Sequence, residues 1–251
     1  MKILVTFAVA TEFAAWRRQR GFELVARKPF PLYAARVGGN AVRVLLTGIG
    51  TQAASQAITW ALASPTDLCI ASGFAGGLRP ELGVGEVLAA RVVRRAGREL
   101  AVASDRELIA AACDGGARRV NRFLTSEQLV VTAAEKCALA DEADAVDMES
   151  FVILAEAARR GVRAVAIRAL SDTAGSSLPY DFDRARDDRG RIRLRALLAE
   201  VARRPQQIPA LLRLARDCRL AAGHLAEFLD RYLELLNIRL DLSQSEMVAA
   251  R

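Results

Sequence analysis

Four carboxylates, Glu12, Asp147, Glu149 and Asp172, stand close to the ends of strand-like runs. Open α/β sheets hold ligands at the carboxyl ends of their strands, and a carboxyl group there can protonate a leaving group or take a proton from water. Asp172 closes the run Ile167-Arg168-Ala169-Leu170-Ser171-Asp172, where an acid suits chemistry and also suits an ordinary turn. Asp147 and Glu149 flank Met148 as a strand-like run gives way to a helix, and one of them can serve as its cap. Elimination leaves proton transfer to these acids. The only histidine, His224, falls inside a long C-terminal helical pattern. A Ser-His-Asp or Cys-His arrangement, or a histidine metal site, would have to be built on the part least like a catalytic domain. Cys69, Cys113, Cys137 and Cys218 lie far apart, which fits neither a zinc knuckle nor a disulfide framework. They read as reduced, mostly buried thiols.

Two glycine motifs accompany the acids. Gly48-Ile49-Gly50-Thr51-Gln52-Ala53 follows a strand and opens a helix, as a dinucleotide fingerprint does. The acid that should grip the adenosine ribose is misplaced, because Asp67 falls at the start of the next strand instead of its end. A tight turn offering backbone N–H groups to an anion or a sugar oxygen is the reading kept. Ser72-Gly73-Phe74-Ala75-Gly76-Gly77-Leu78 comes directly after an apolar strand and is read as a loop. Its glycines let a backbone approach a ligand closely, against the plainer reading of a glycine-rich turn.

The elements that position these residues alternate. Strand-like runs at 2–8, 67–71, 84–93 and 162–170 are separated by helical patterns at 11–19, 51–62, 105–112 and 148–160. A hairpin is expected where 32–37 and 41–46 flank Gly38-Gly39-Asn40. This order predicts a single α/β domain with a mixed central sheet flanked by helices. The stretch 173–191 reads as a mobile loop. Beyond Pro205 one apolar stripe through Ile208, Leu211, Leu212, Ala215, Cys218, Leu225, Phe228, Leu229, Tyr232 and Leu236 predicts a long helix, fraying after Ile238. The division expected is 1–191 for the catalytic domain and 192–251 for a helical C-terminal extension.

The chain has 251 residues, half of them apolar, enough for a substantial core. Its N-terminus lacks the pattern of a signal peptide, and no apolar run approaches the ~20 residues of a membrane span. The expected compartment is the cytoplasm. A net charge of +7 invites a nucleic-acid or anionic-membrane reading. The excess is densest over 184–219, which holds no aromatic residue on which a base could stack, so a nucleic-acid partner is not expected.

Taken together these segments resemble the nucleoside phosphorylase and nucleosidase superfamily, which includes purine and uridine phosphorylases and the methylthioadenosine/S-adenosylhomocysteine nucleosidases. The motifs fall in the family's order: a carboxylate after the first strand in Phe7-Ala8-Val9-Ala10-Thr11-Glu12, Thr47-Gly48-Ile49-Gly50, Ser72 through Leu78 followed by Val84-Gly85-Glu86, Met148-Glu149, and Arg168 through Asp172. The resemblance implies cleavage of the bond between a purine, adenine above all, and ribose. It gives Asp172 to the ring nitrogen N7 as general acid, Glu12 to the attacking water, Glu149 to the ribose hydroxyls and Met148 to the sugar face. Ser72, Ala75, Gly76, Val130 and Ser171 complete the implied binding site, without metal or organic cofactor. A homo-oligomer is expected, a dimer or a trimer or hexamer.

Two departures matter. Where methylthioadenosine nucleosidases carry Ser-Gly-Asp-Ala-Phe, with the Phe stacking on adenine, this chain has Ser126-Glu127-Gln128-Leu129-Val130. The phosphorylases' N-terminal Gly-x-Pro-x-Arg phosphate loop is absent, which favours hydrolysis over phosphorolysis, although Arg79 and Arg168 stay available for phosphate. The stretch from Arg203 to Arg216 is similar to the tail of hopanoid-associated members, which act on an adenosyl-lipid. That likeness implies a lipid-linked nucleoside and weak peripheral membrane association through the C-terminal extension. A protein that keeps the fold and only binds nucleosides is the reading from another class.

Overall fold

The computed structural model describes residues 1–179 and 205–249. Strand β1 (Lys2–Phe7) is buried from Ile3 onward and lies parallel to a neighbour on each side, β4 (Asn40–Leu46) and β5 (Leu68–Ala71). Unbroken apolar runs suit parallel strands covered on both faces. β3 (Leu32–Val37) forms the expected hairpin with β4, and β2 (Glu23–Ala26) adds an edge to it.

On its other side β5 pairs with β11 (Arg163–Asp172), whose ten residues reach three partners in turn. Ala166 to Ala169 run antiparallel to β7 (Val87–Arg95), and from Ala169 onward the strand runs parallel to β6 (Phe74–Gly77). Pairing continues from β6 to β10 (Ala145–Asp147), to β9 (Arg118–Thr125) and back to β7. These strands therefore close on β11 as a ring, leaving β8 (Ala101–Ala103) outside it. Closure leaves the strands of the ring without a free edge, so that the sheet's edges are β2 and β8.

The glycine-rich stretch after β5 is thus partly strand, a correction to the loop expected there. Phe74 to Gly77 have β11 on one side and β10 on the other, so neighbours supply the main-chain pairing that glycine's own propensity does not. β9 and the short helix α4 (Ala133–Leu139) were also not foreseen. Thr132 and Glu135 form the capping box that starts α4, a sequence signal that was available. The other helices are α1 (Ala10–Arg20), α2 (Thr51–Ala61), α3 (Arg106–Asp114), α5 (Ser150–Arg159) and α6 (Ile208–Ala249). α6 continues past Ile238 instead of fraying there; 239–249 contains neither glycine nor proline to stop it. Of the expected loop 173–191, residues 180–191 lie outside the described residues, as does 184–204 of the basic stretch.

α6 shares a core with the sheet. Leu225, Phe228, Leu229, Tyr232 and Leu236 are buried in one cluster with residues of β1, α1 and β11. Asp230 accepts hydrogen bonds from Trp16 Nε1 (2.7 Å) and Arg20 Nε (2.9 Å). Among the described residues no helix is long and apolar enough to cross a membrane. The four cysteines are free, but only Cys69 is buried; Cys137 is exposed, so the thiols are not mostly buried as expected. Leu229→Ala is expected to cost about 2–5 kcal/mol of stability, the usual range for a deleted core leucine. Denaturant unfolding measures it, and a loss below about 1 kcal/mol would mean that α6 is only loosely applied.

Candidate active site

β4, β1, β5 and β11 are mutually parallel, so their carboxyl ends share one edge of the sheet. A cavity of about 640 Å³ opens there, within the range of small-molecule sites. Glu12 reaches it from α1, Ala75 and Gly76 from β6, Met148 and Glu149 from the turn after β10, and Ser171 and Asp172 from the end of β11. Val130 also lines it, within the segment after β9 that Glu127 ties to α2 by accepting from Thr51 Oγ1 at 2.6 Å. Ser72 is the predicted residue that does not line the cavity. It is buried at the end of β5, and its hydroxyl has no hydrogen-bond partner among the described residues.

Glu12 is set by the packing of α1. Phe7, Phe13, Trp16 and Phe22 pack in one aromatic cluster, Phe7 stacked on Phe13 and the others edge-on or tilted, that fixes this helix on the sheet. Glu12 Oε2 accepts from the N–H groups of Ala8 (2.7 Å) and Val9 (3.0 Å), and Oε1 from Phe74 N–H (2.8 Å). Burial pushes its carboxyl above the usual range, opposed by Arg168 and those three N–H groups. Gly73 makes the approach feasible: it sits at φ +133°, and a Cβ there would lie 2.7 Å from both Glu12 Oε1 and Arg168 Nη1.

Arg168 points from β11 into a buried cluster of acids. Its Nε lies 3.0 Å from Asp147 Oδ2, a charge contact without hydrogen-bond alignment, and its Nη2 donates to Glu149 Oε2 at 3.3 Å. Ser150 Oγ accepts from Nε and Nη2 at 3.1 and 3.0 Å. Glu149 occupies the N-cap position of α5 without a side-chain cap hydrogen bond, and it is Asp147 Oδ1 that accepts from the first helical N–H, that of Ser150, at 3.3 Å. Glu149 Oε1 instead accepts from Gly50 N–H at 2.8 Å, so the turn expected to present an N–H to an anion holds the protein's own carboxylate. Burial raises the Glu149 carboxyl to about 7, against Arg168 and with help from Asp147 and Glu12. Three carboxylates facing one guanidinium favour any further positive charge brought to them.

Asp172 stands apart from that cluster. Ser171 Oγ donates to its Oδ1 at 2.7 Å, and Lys136, from α4, is in contact with its Oδ2. Gly76 passes close by, where a Cβ would come within 3.1 Å of Asp172 Oδ2. Sequence reasoning missed Lys136 altogether and missed the share of α6 in the wall. Leu211, Leu214, Ala215 and Cys218 line the cavity together with Leu129 and Leu178, which makes much of its lining apolar. His224 is on α6 but off this lining, with Nδ1 3.0 Å from Gly85 O.

The profile described as the Phosphorylase superfamily matches residues 2–203. Among solved structures, the 5′-methylthioadenosine/S-adenosylhomocysteine nucleosidase from Neisseria meningitidis, in complex with methylthio-immucillin-A, is 21% identical, with a TM-score of 0.71 over 93% of this chain and 98% of that one. A futalosine hydrolase mutant from Helicobacter pylori is 16% identical, with a TM-score of 0.72 over 93% and 99%. The corresponding nucleosidase from S. pneumoniae, with a transition-state inhibitor, is 18% identical, with a TM-score of 0.72 over 94% and 100%. At these identities the likeness is one of fold: a mixed sheet flanked by helices, ending in a C-terminal helix.

Proposed function

The chain belongs to the phosphorylase superfamily, and from that premise we propose that it hydrolyses the N-glycosidic bond of a purine nucleoside. The observation that carries this reading is the division of the site into two parts. On one side Glu12, Asp147 and Glu149 crowd Arg168; on the other Asp172 stands with its own cation. Departure of a base from ribose passes through an oxocarbenium-like state. The acid cluster would stabilise the sugar's developing positive charge, while Asp172 protonates N7 of the leaving purine. β6 spans the two parts: Phe74 N–H holds Glu12, and Gly76 adjoins Asp172. Two strand residues cover about 7 Å, room for a sugar between a base and an acid.

In this reading Glu149 accepts from the ribose hydroxyls, Met148 covers the sugar face, and Ser171 steadies Asp172. Ala75 and Gly76 lie along the base, Val130 takes the place of a stacking ring, and Ser72 supports the site from behind. The apolar wall formed with Leu211, Leu214 and Leu129 favours an adenine nucleoside whose 5′ substituent is itself apolar, a lipid-linked one included. Ile208, Leu212 and Leu220 stand exposed on α6 beside Arg213, Arg216 and Arg219, a face suited to weak contact with an anionic bilayer.

Water is favoured over phosphate by charge. Among the described lining residues four carboxylates accompany one arginine, Arg219, and such a wall repels a dianion. Arg168 is engaged by the acid cluster, and Arg79 pairs with Asp144 at 3.3 Å. The test is a panel of adenine nucleosides with and without phosphate. Base release is expected at full rate in phosphate-free buffer, with free ribose as product, and it should fall by about 10²-fold or more in Glu12→Gln. Release that stops without phosphate and yields ribose 1-phosphate would make the protein a phosphorylase. Nucleoside binding without release would make it a binding protein.

A further inference from the structure

Lys136 is fully buried, and its ammonium meets Asp172 Oδ2, Thr173 O at 2.8 Å and Ser176 O at 2.9 Å, with Ser176 Oγ at a longer 3.5 Å. Those acceptors are enough for the three donors of an ammonium, so the cation is satisfied, and its counter-charge is a carboxylate on the cavity wall. A buried ion pair is a poor device for stability alone, because both groups lose their hydration. The residue type adds a second observation. Of 36 basic residues only Lys2, Lys28 and Lys136 are lysines, and the other fully buried cation of the site is an arginine, Arg168. Arginine keeps its proton inside proteins, whereas a buried lysine can release one. The chain therefore places its titratable kind of cation where Asp172 can draw on it.

On the reading that Asp172 protonates the leaving base, we propose that Lys136 is a positioning residue that supplies Asp172 with the proton it delivers. As the bond from C1′ to N9 breaks, its electron pair moves into the purine and N7 becomes basic. A proton passes from Lys136 Nζ to Asp172 Oδ2 and from Asp172 to N7. One Nζ–H bond is lost and one N7–H bond is gained, leaving a neutral amine at Lys136. The attacking water gives its proton to Glu12 as the bond from its oxygen to C1′ forms. Solvent returns a proton to Lys136 and removes one from Glu12 once the products have left, so charge and protons balance over the cycle. Ser171 Oγ holds the other carboxylate oxygen throughout.

A double-variant cycle on the intact chain tests this. Lys136→Arg keeps a cation and several donors in place but holds its proton; base release is expected to fall by roughly 100-fold, with thermal unfolding showing a folded protein. In an Asp172→Asn background the same substitution should lower the residual rate by less than about threefold, because no carboxylate remains to be supplied. A nucleoside methylated at N7, whose base leaves without taking a proton, should be cleaved by Lys136→Arg at close to the wild-type rate. Near-wild-type turnover in Lys136→Arg overturns the relay, and so do losses that multiply in the double variant or fall equally on the methylated substrate. Failure of the wild-type protein to release base from any nucleoside overturns the hydrolytic reading itself, and the relay with it.

Discussion

Asp172→Asn is expected to lower base release by about 10²- to 10⁴-fold, the usual worth of a positioned general acid. The side chain is close to isosteric, and its surroundings can accommodate the change. An asparagine turned with its oxygen toward Lys136 keeps that donor satisfied, and its amide then faces Ser171 Oγ, which can accept instead of donating. The fold should therefore persist, and what disappears is the proton that N7 needs. Steady-state release of adenine, measured beside circular dichroism and thermal unfolding, separates the two effects. Turnover within a few-fold of wild type in a folded variant would take Asp172 out of the mechanism.

Glu12, Glu149 and Asp172 were legible in the sequence because each follows an apolar run within a short motif. Their partners were not. Arg168 lies inside a strand, and its contacts, Asp147, Glu149 and Ser150, come from another segment that only folding brings to it. The sequence thus offered it to phosphate. The capping box at Thr132 announces a helix, but nothing local tells that Lys136 turns inward to a residue 36 positions away. β6 was hidden by its glycines, since its pairing is supplied by β10 and β11. The apolar stripe of α6 was visible, but periodicity reports only that residues are apolar. Leu225, Phe228, Leu229, Tyr232 and Leu236 turned out to be core, Leu211, Ala215 and Cys218 face the cavity, and Ile208 and Leu212 of the same stripe stand exposed.

The cluster around Arg168 leads to the second large effect, in Glu149→Gln. The Glu149 carboxyl titrates at about 7 in the folded protein, raised first by burial and then by Asp147 and Glu12, with Arg168 opposing. Its ordinary value is 4.5, so between those values the native state holds a proton that the unfolded state has lost. Wild-type stability should therefore fall as pH rises through that window, and the variant, which lacks the group, should gain stability relative to wild type from pH 5 to pH 8. Activity runs the other way, because only the ionised carboxylate stabilises an oxocarbenium-like sugar. Wild-type kcat/KM should rise with pH on an acid limb near 7, where Glu149 ionises. Glu149→Gln should lose about 10²- to 10³-fold above that limb, the scale of removing one preorganised electrostatic partner of a transition state. Melting temperatures at pH 5 and pH 8, read beside the pH–rate profiles of both proteins, test the two signs together. An acid limb unchanged in the variant would show that Glu149 is not the group that titrates there, whereas a stability difference that does not move with pH would mean that Glu149 carries its charge in the free protein. The expected pattern makes the cluster a site held at some cost to folding, with carboxylates that are mutually unfavourable until a cationic sugar lies among them.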